Sequence, residues 1–400
     1  MILTPQQLER FTPQKEGQAL NLRLFRDYLW PTDGRGIISY QFTNQFDERS
    51  RNLIRMALKH WQDNTCVTFE EGTRSKPFIR FVRLTGCSSE IGRHPGATSQ
   101  NIDINWRCDN FGTIVHEIGH ALGLYHEQSR YDRDQHLRIH MENVKKDFTF
   151  NYGMKDSRET TNYGLPYDYG SIMQYDAYGF AINETTPVIE AIPDSRYQNT
   201  MGQVIKASFL DLLMINTHYS CQDRCKPYNT VCQNQGFPNP KNCYNCICPW
   251  GFGGRFCERR DYGRNGTVAC GADLQAGANW SSLKTSIGDQ RRWNQDRHDE
   301  CHWHIWAPEG RTVVVWVQDV GQNCHVGCSK SNVEFKMKKD FRNTESAVTS
   351  GSKGIRCTVK RDWPLSVLIR NRGSLLRSSI VTIDQMKQKK NKILKFTGVL

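Results

Sequence analysis

Apolar positions in this chain follow two different periods, and the change between them divides it. From Ser50 to Trp61, the residues Leu53, Ile54, Ala57, Leu58 and Trp61 recur at three- and four-residue spacing, which predicts a helix with one buried face. Phe78-Ile-Arg-Phe-Val82 and Ile102-Asp-Ile104 read as strands. Phe111 to Leu122 reads as a second helix, with Asp109 or Asn110 placed to cap it. Beyond residue 300 the period becomes two: Trp303 and Ile305, then Val313-Val-Val-Trp-Val317, then Leu365-Ser-Val-Leu-Ile369. That alternation predicts a β-sandwich. No stretch approaches the roughly eighteen apolar residues of a membrane span. The closing run QMKQKKNKILKF, from Gln385, is basic and is expected to be a flexible tail, 383–400, with no assigned role.

Cysteine placement sharpens these divisions. The 400 residues hold fifteen cysteines, heavy usage for a reducing cytosol and ordinary for an exported protein with disulfides. Cys66, Cys87, Cys108 and Cys221 are spread thinly. Cys225, Cys232, Cys243, Cys246, Cys248 and Cys257 crowd together. Cys270, Cys301, Cys324, Cys328 and Cys357 are sparse again. This implies a large domain, a small stapled module and a third domain. Sequons at Asn183, Asn265 and Asn279 fit an extracellular location. The first thirty residues carry no basic-then-apolar leader, so residues 1–20 are expected to be a propeptide remnant or an incomplete amino end. The net charge of +12 reads as a spread of solvated Lys and Arg, and no nucleic-acid module accompanies it.

The chemistry is concentrated in His116-Glu117-Ile-Gly-His120-Ala-Leu-Gly123-Leu-Tyr-His126-Glu127. Residues four apart on a helix share a face, so His116 and His120 can present imidazoles to one metal ion. Glu117 stands beside that edge as a general base. The helix must then stop, and Gly123 is placed to stop it because glycine takes positive φ at little cost. His126 completes the triad as the chain turns back. Three neutral nitrogens leave a zinc ion one open position for water, whose pKa the metal lowers to about 7. Further on, Ser171-Ile-Met173-Gln-Tyr175 has the form of a methionine turn.

These stretches resemble the astacin family of zinc endopeptidases, within the metzincins. Glu127-Gln-Ser-Arg-Tyr-Asp-Arg-Asp134 and Trp30-Pro31 ahead of Ile37-Ile-Ser-Tyr40 match as well. The match runs over 21–221. The resemblance implies an α+β fold: a zincin/metzincin catalytic domain with an active-site helix and a small sheet. It implies one catalytic zinc on His116, His120 and His126, Glu117 and Tyr175 as catalytic residues, and Met173 beneath the metal. Glu127 would meet the buried amino terminus of the mature enzyme, expected to start near Asn21 and not after Arg26. Disulfides Cys66–Cys221 and Cys87–Cys108 carry over. Residues 222–258 resemble an EGF-like module, with pairs Cys225–Cys243, Cys232–Cys246 and Cys248–Cys257. Gln222-Asp223-Arg224 is a poor match to the calcium-binding variant, so calcium is not expected. Residues 268–382 resemble a CUB domain, with Cys270–Cys301 and Cys328–Cys357 paired and Cys324 left over. This domain order is that of many nematode astacins.

The implied function is a secreted endopeptidase whose partners are protein substrates of the extracellular matrix or cuticle, or proproteins, with protein contacts through the EGF-like and CUB parts. The sequence departs from the family in several places. No Phe-x-Gly-Asp inhibitory motif is present, Gln174 stands where many members have His, and Val204 follows Gly202-Gln203 where several members carry Arg. An inactive matrix-binding scaffold is the competing reading, but it would require a lost ligand or glutamate, and none is lost. A purely structural zinc normally takes four protein ligands, and the motif supplies three.

Overall fold

A five-stranded sheet and three helices carry the metal motif. The computed structural model describes residues 29–30, 37–264 except 75 and 95, and 269–387 except 280, 289–298, 308–310, 320–330, 337, 345, 349–354, 361–364 and 372–375. The chain divides into two units. The first takes Met1–Arg259 together with His325–Ser329 and Asp340–Ser346, and the second takes the remainder from Arg260.

In the first unit, β1 (Ile37–Phe42), β2 (Thr68–Glu71), β3 (Phe78–Val82), β4 (Cys87–Ser89) and β5 (Ser99–Ile104) lie in the order β2-β1-β3-β5-β4. Only β4, against β5, is antiparallel. Helix α1 (Glu48–Asn64) starts where Asp47 accepts the Ser50 N–H at 2.8 Å, and it buries Ile54, Ala57, Leu58 and Trp61. Its Trp61 indole donates to the Val115 carbonyl at 3.0 Å, which ties α1 to α2 (Phe111–Ala121). Of the two expected caps for α2, Asn110 is used, accepting from the Thr113 N–H at 2.9 Å. Asp109 instead pairs with Arg83 at 2.9 Å. Helix α3 (Phe209–His218) begins in a reciprocal capping box between Ser208 and Asp211.

Bridges join Cys66 to Cys221 and Cys87 to Cys108. The cysteine-rich stretch packs on the same core: Phe237 and Ile247 are buried in it, and the Phe237 ring lies 5.3 Å from that of Phe209. Bridges join Cys225 to Cys243, Cys232 to Cys246 and Cys248 to Cys257.

The second unit is two sheets. One runs in the order 271–275, 299–306, 365–371, 331–336, 346–348, and the other 281–287, 376–387, 311–319, 355–360. Alternate residues, including Trp303, Ile305, Val313, Val315, Val367 and Ile369, fill its core. Cys270 is bridged to Cys301. Cys324 and Cys328 lie outside the described residues, and with them the expected Cys328–Cys357 pair. One expectation is corrected. Residues 383–387 are not tail but the end of the strand Leu376–Lys387, where Gln385 pairs with Val313 and Lys387 with Arg311. A ladder of backbone hydrogen bonds is indifferent to side-chain charge, so basic composition misplaced this boundary.

Candidate metal centre

The apolar face of α2 is sunk in the core through Ile114, Val115 and Ile118, and this carries His116, Glu117 and His120 inward with it. Gly123 has φ +111°. Its N–H returns to the His120 carbonyl at 2.8 Å, and the Leu124 N–H returns to Gly119 at 3.0 Å, closing the helix. The reversal brings His126 back, its ring centroid 5.3 Å from that of His116 and 4.7 Å from that of His120. The Nε2 atoms of His116 and His120 are 3.0 Å apart, and those of His120 and His126 are 3.2 Å apart. Among the described residues these three form the one cluster suited to a metal ion.

Carbonyl groups orient the rings. His116 Nδ1 lies 2.6 Å from the Ile172 carbonyl, and His120 Nδ1 lies 2.6 Å from that of Leu124. Those contacts assign the ring proton to Nδ1 and leave each Nε2 lone pair for a ligand. Burial holds all three imidazoles below the ordinary histidine range, His120 at about 4, so they are neutral at pH 7. Neutral imidazole is the metal-binding form. Three nitrogens at zinc-ligand distance in a tetrahedral array stand about 3.3 Å from one another, which this spacing fits. Glu117 gives the second test of fit. It is fully buried, and neither carboxylate oxygen has a protein hydrogen-bond partner. A buried carboxylate left bare costs stability unless something polar shares its site. Burial raises its pKa well above the ordinary value.

Beneath the histidines, Ser171–Tyr175 turns as expected, with Met173 buried in the core. Asp211, on α3, fixes this turn. Its carboxylate accepts from Ser171 Oγ at 2.5 Å and from the Ile172 N–H at 2.8 Å. The Glu127 N–H donates to the Met173 carbonyl at 3.0 Å. Tyr175 is buried with its ring 4.4 Å from that of His126, and burial pushes its phenol well above the usual range. Gln128 accepts from the Tyr175 N–H at 3.1 Å. Gln174 is a structural residue here, its amide oxygen accepting from the Tyr167 hydroxyl at 2.5 Å.

Glu127 accepts from Arg130 Nη1 and from the Asp168 N–H, each at 2.9 Å. Burial raises its carboxyl to about 7, with Arg130 pulling the other way. The amino terminus expected there lies outside the described residues. Reading the sequence did not find Asp211 or Asp168, and it gave no role to Gln128 or Arg130 within the matching stretch after Glu127. A usable sign existed for Asp211, since Ser208-x-x-Asp211 ahead of an apolar run is a capping pattern. Asn183 and Asn279 are exposed, and Asn265 lies outside the described residues.

A model of the Astacin peptidase family matches residues 25–220. Zinc metalloproteinase nas-27 of Caenorhabditis elegans is 33% identical over 306 residues, which cover 74% of this chain and 71% of that protein. The chain belongs to the astacin family. Zinc metalloproteinase nas-29 of the same nematode is 36% identical over 306 residues, covering 76% of this chain and 56% of that one. This astacin spans about half the length of several other curated relatives, 56%, 58% and 49% of them. Among solved structures it is similar to the high choriolytic enzyme 1, a hatching enzyme zinc-protease from Oryzias latipes. The two are 35% identical, covering 48% of this chain and 94% of that one, with a TM-score of 0.45.

Proposed function

We propose that this astacin is a secreted zinc endopeptidase in which His116, His120 and His126 hold the metal, Glu117 is the general base and Tyr175 assists at the transition state. The observation that carries this reading is Glu117: a fully buried carboxylate with no protein partner, one residue from a ligand, in a triad of neutral imidazoles. Zinc bound there supplies Lewis acidity and a water ionisable near neutral pH. Glu117 takes a proton from the attacking water and returns it to the departing amine. The Tyr175 hydroxyl, kept protonated by burial, donates toward the oxygen that gains charge as the peptide carbonyl is attacked.

Residues 222–258 act as an EGF-like module and 268–382 as a CUB domain on this reading. Three bridges in the former and two packed sheets in the latter support it. Matrix or cuticle proteins and proproteins are the substrate class, a choice that rests on the likeness to nematode astacins and on bridges that need an oxidising compartment. The exposed Asn183, whose side-chain oxygen already accepts from the Thr185 hydroxyl at 2.9 Å, is a glycan acceptor on this reading. Glu117→Gln tests the mechanism. It should retain one zinc per chain by metal analysis and lose about 10²- to 10⁴-fold in casein hydrolysis, the usual worth of a general base. Near-wild-type turnover would refute the role.

A further inference from the structure

Asp340–Thr344 stands more than two hundred residues beyond the histidines in sequence, yet it belongs to the first unit. Thr344 is buried. Its N–H donates to Asp168 Oδ1 and its hydroxyl to Asp168 Oδ2, each at 3.1 Å. Asn343 Nδ2 donates to the Tyr167 carbonyl at 2.9 Å. At the other end, the Phe341 N–H donates to Gln235 Oε1 at 2.7 Å and the Phe341 ring lies 4.7 Å from that of Phe252. The segment is therefore clamped at both ends. The fit is close as well, because a Cβ on Gly170 would stand 2.1 Å from the Thr344 methyl carbon. Only glycine permits that approach.

Asp168 gives this contact its consequence. Its N–H donates to Glu127, the residue after His126, at 2.9 Å. Its carbonyl accepts from the Ser171 N–H at 3.1 Å, at the head of the turn whose Ile172 carbonyl orients His116. Asp168 thus touches both loops that set ligand positions. Its buried carboxylate takes hydrogen bonds from the Gly170 N–H and the Ser208 side chain, and two more from Thr344. A filler residue would need no hydroxyl aimed at a carboxylate. We infer that Thr344 is a positioning residue for the metal centre, acting through Asp168 on the two loops that hold His116 and His126.

The inference rests on the proposed zinc site, so full-length wild type and variants are compared by zinc affinity, in competition with a chromogenic chelator, and by peptide hydrolysis. Thr344→Val keeps the shape and removes the hydroxyl. Its zinc affinity and kcat should each fall about tenfold, as is usual for groups that orient ligands, while KM moves less than about twofold. Thr344→Ser restores the hydroxyl and should return both to within about twofold of wild type. Asn343→Ala loosens the segment without touching Asp168, and a drop in zinc affinity of about threefold is expected. This third variant decides the matter if Thr344→Val fails to fold. Wild-type zinc affinity and kcat in Thr344→Val, or equal damage in Thr344→Ser, overturns the inference, as does an unchanged Asn343→Ala should Thr344→Val not fold. A wild type that binds no zinc would instead defeat the zinc reading itself.

Discussion

The metal-bearing region and the cysteine-rich stretch after it solve the same problem by opposite means. The first buries Trp61, Phe81, Ile114 and many others in a continuous core and has two disulfides for nearly two hundred residues. The second spans Cys225 to Cys257 and has three disulfides. Two of its buried side chains, Phe237 and Ile247, serve the neighbour's core. A short stretch cannot bury enough apolar area to offset its chain entropy, so covalent links take that role. The large core has stability to spare, and it hides polar groups that a smaller domain could not tolerate: three imidazoles, Glu117 and Tyr175. Buried polarity should therefore govern activity in the first region, and bridges should govern folding in the second.

Tyr175→Phe tests the first half and should have the largest effect after Glu117→Gln. Removing a donor to a developing oxyanion costs about 10²- to 10³-fold in kcat, with KM nearly unchanged. The loss of a buried hydroxyl should leave the melting temperature within a few degrees. A rise confined to KM would make Tyr175 a binding residue, and a large fall in melting temperature would blur the contrast.

The second half has a matched pair. Cys87–Cys108 closes a span of 21 residues and Cys225–Cys243 one of 18, for which loop-closure entropy gives about 3 kcal/mol each. Replacing either pair with alanines should cost similar global stability, but the local outcomes should differ. Without Cys225–Cys243 the amides of residues 225–257 should lose protection from hydrogen exchange while short peptides are still cut. Without Cys87–Cys108, β3 and β5 should stay protected. Protected module amides in the first variant would show that packing, not bridging, holds that stretch.

Legibility followed the same contrast. Short-range rules found α1, the limits of β3, the Gly123 stop and, to within one residue, the cap of α2, because each depends on residues within a turn or two. The histidine triad was legible for the same reason. What could not be read was whatever long loops bring together: the parallel pairing of β1 with β2 and β3, Asp211 under the methionine turn, and Thr344 on Asp168. A capping residue such as Asp211 announces its helix but not its distant partner. The disulfide pairs came from family resemblance, since fifteen cysteines permit far too many connectivities for spacing to choose among.

Specificity joins the two regions. Val204 is 40% exposed and offers no charge to an acidic substrate residue. Two cations close to it in sequence are engaged elsewhere. Arg196 is held by Asp194 at 2.6 Å, and Lys206 lies 5.1 Å from the ring centre of Trp250, in the cysteine-rich stretch. Small or apolar residues just after the scissile bond should therefore be cut at least as well as Asp or Glu in a peptide library. Val204→Arg should move the preference toward acidic residues by about tenfold, the worth of one charge-assisted contact. An acidic preference already present in wild type, surviving neutralisation of Arg196 and Lys206, would break this account.

The smallest effect concerns a polar group that the large core hides with no site to serve. His60, on α1, lies edge-on to Phe111 with ring centroids 5.7 Å apart, and its Nε2 is buried with no hydrogen-bond partner. Burial lowers its pKa from 6.5 to about 4, with Lys206 pushing the same way. As pH falls below 6.5 the unfolded chain takes up a proton that the folded ring refuses until about 4. The folded state is thus undiminished by this group above about pH 6.5 and loses stability progressively from there down to about 4. His60 is half-buried as a residue, which discounts the full linkage value to about 1 kcal/mol at pH 5. His60→Phe keeps the aromatic packing and removes the titration, so the gap in melting temperature between pH 7.5 and pH 5 should narrow by about 2–4 °C. Other buried acids, such as Asp211 with its pKa raised to about 6, shift both proteins alike and cancel in the difference. If the gap is unchanged, His60 is protonated in the folded state at pH 5, and its burial carries no cost of the kind that Glu117 carries for function.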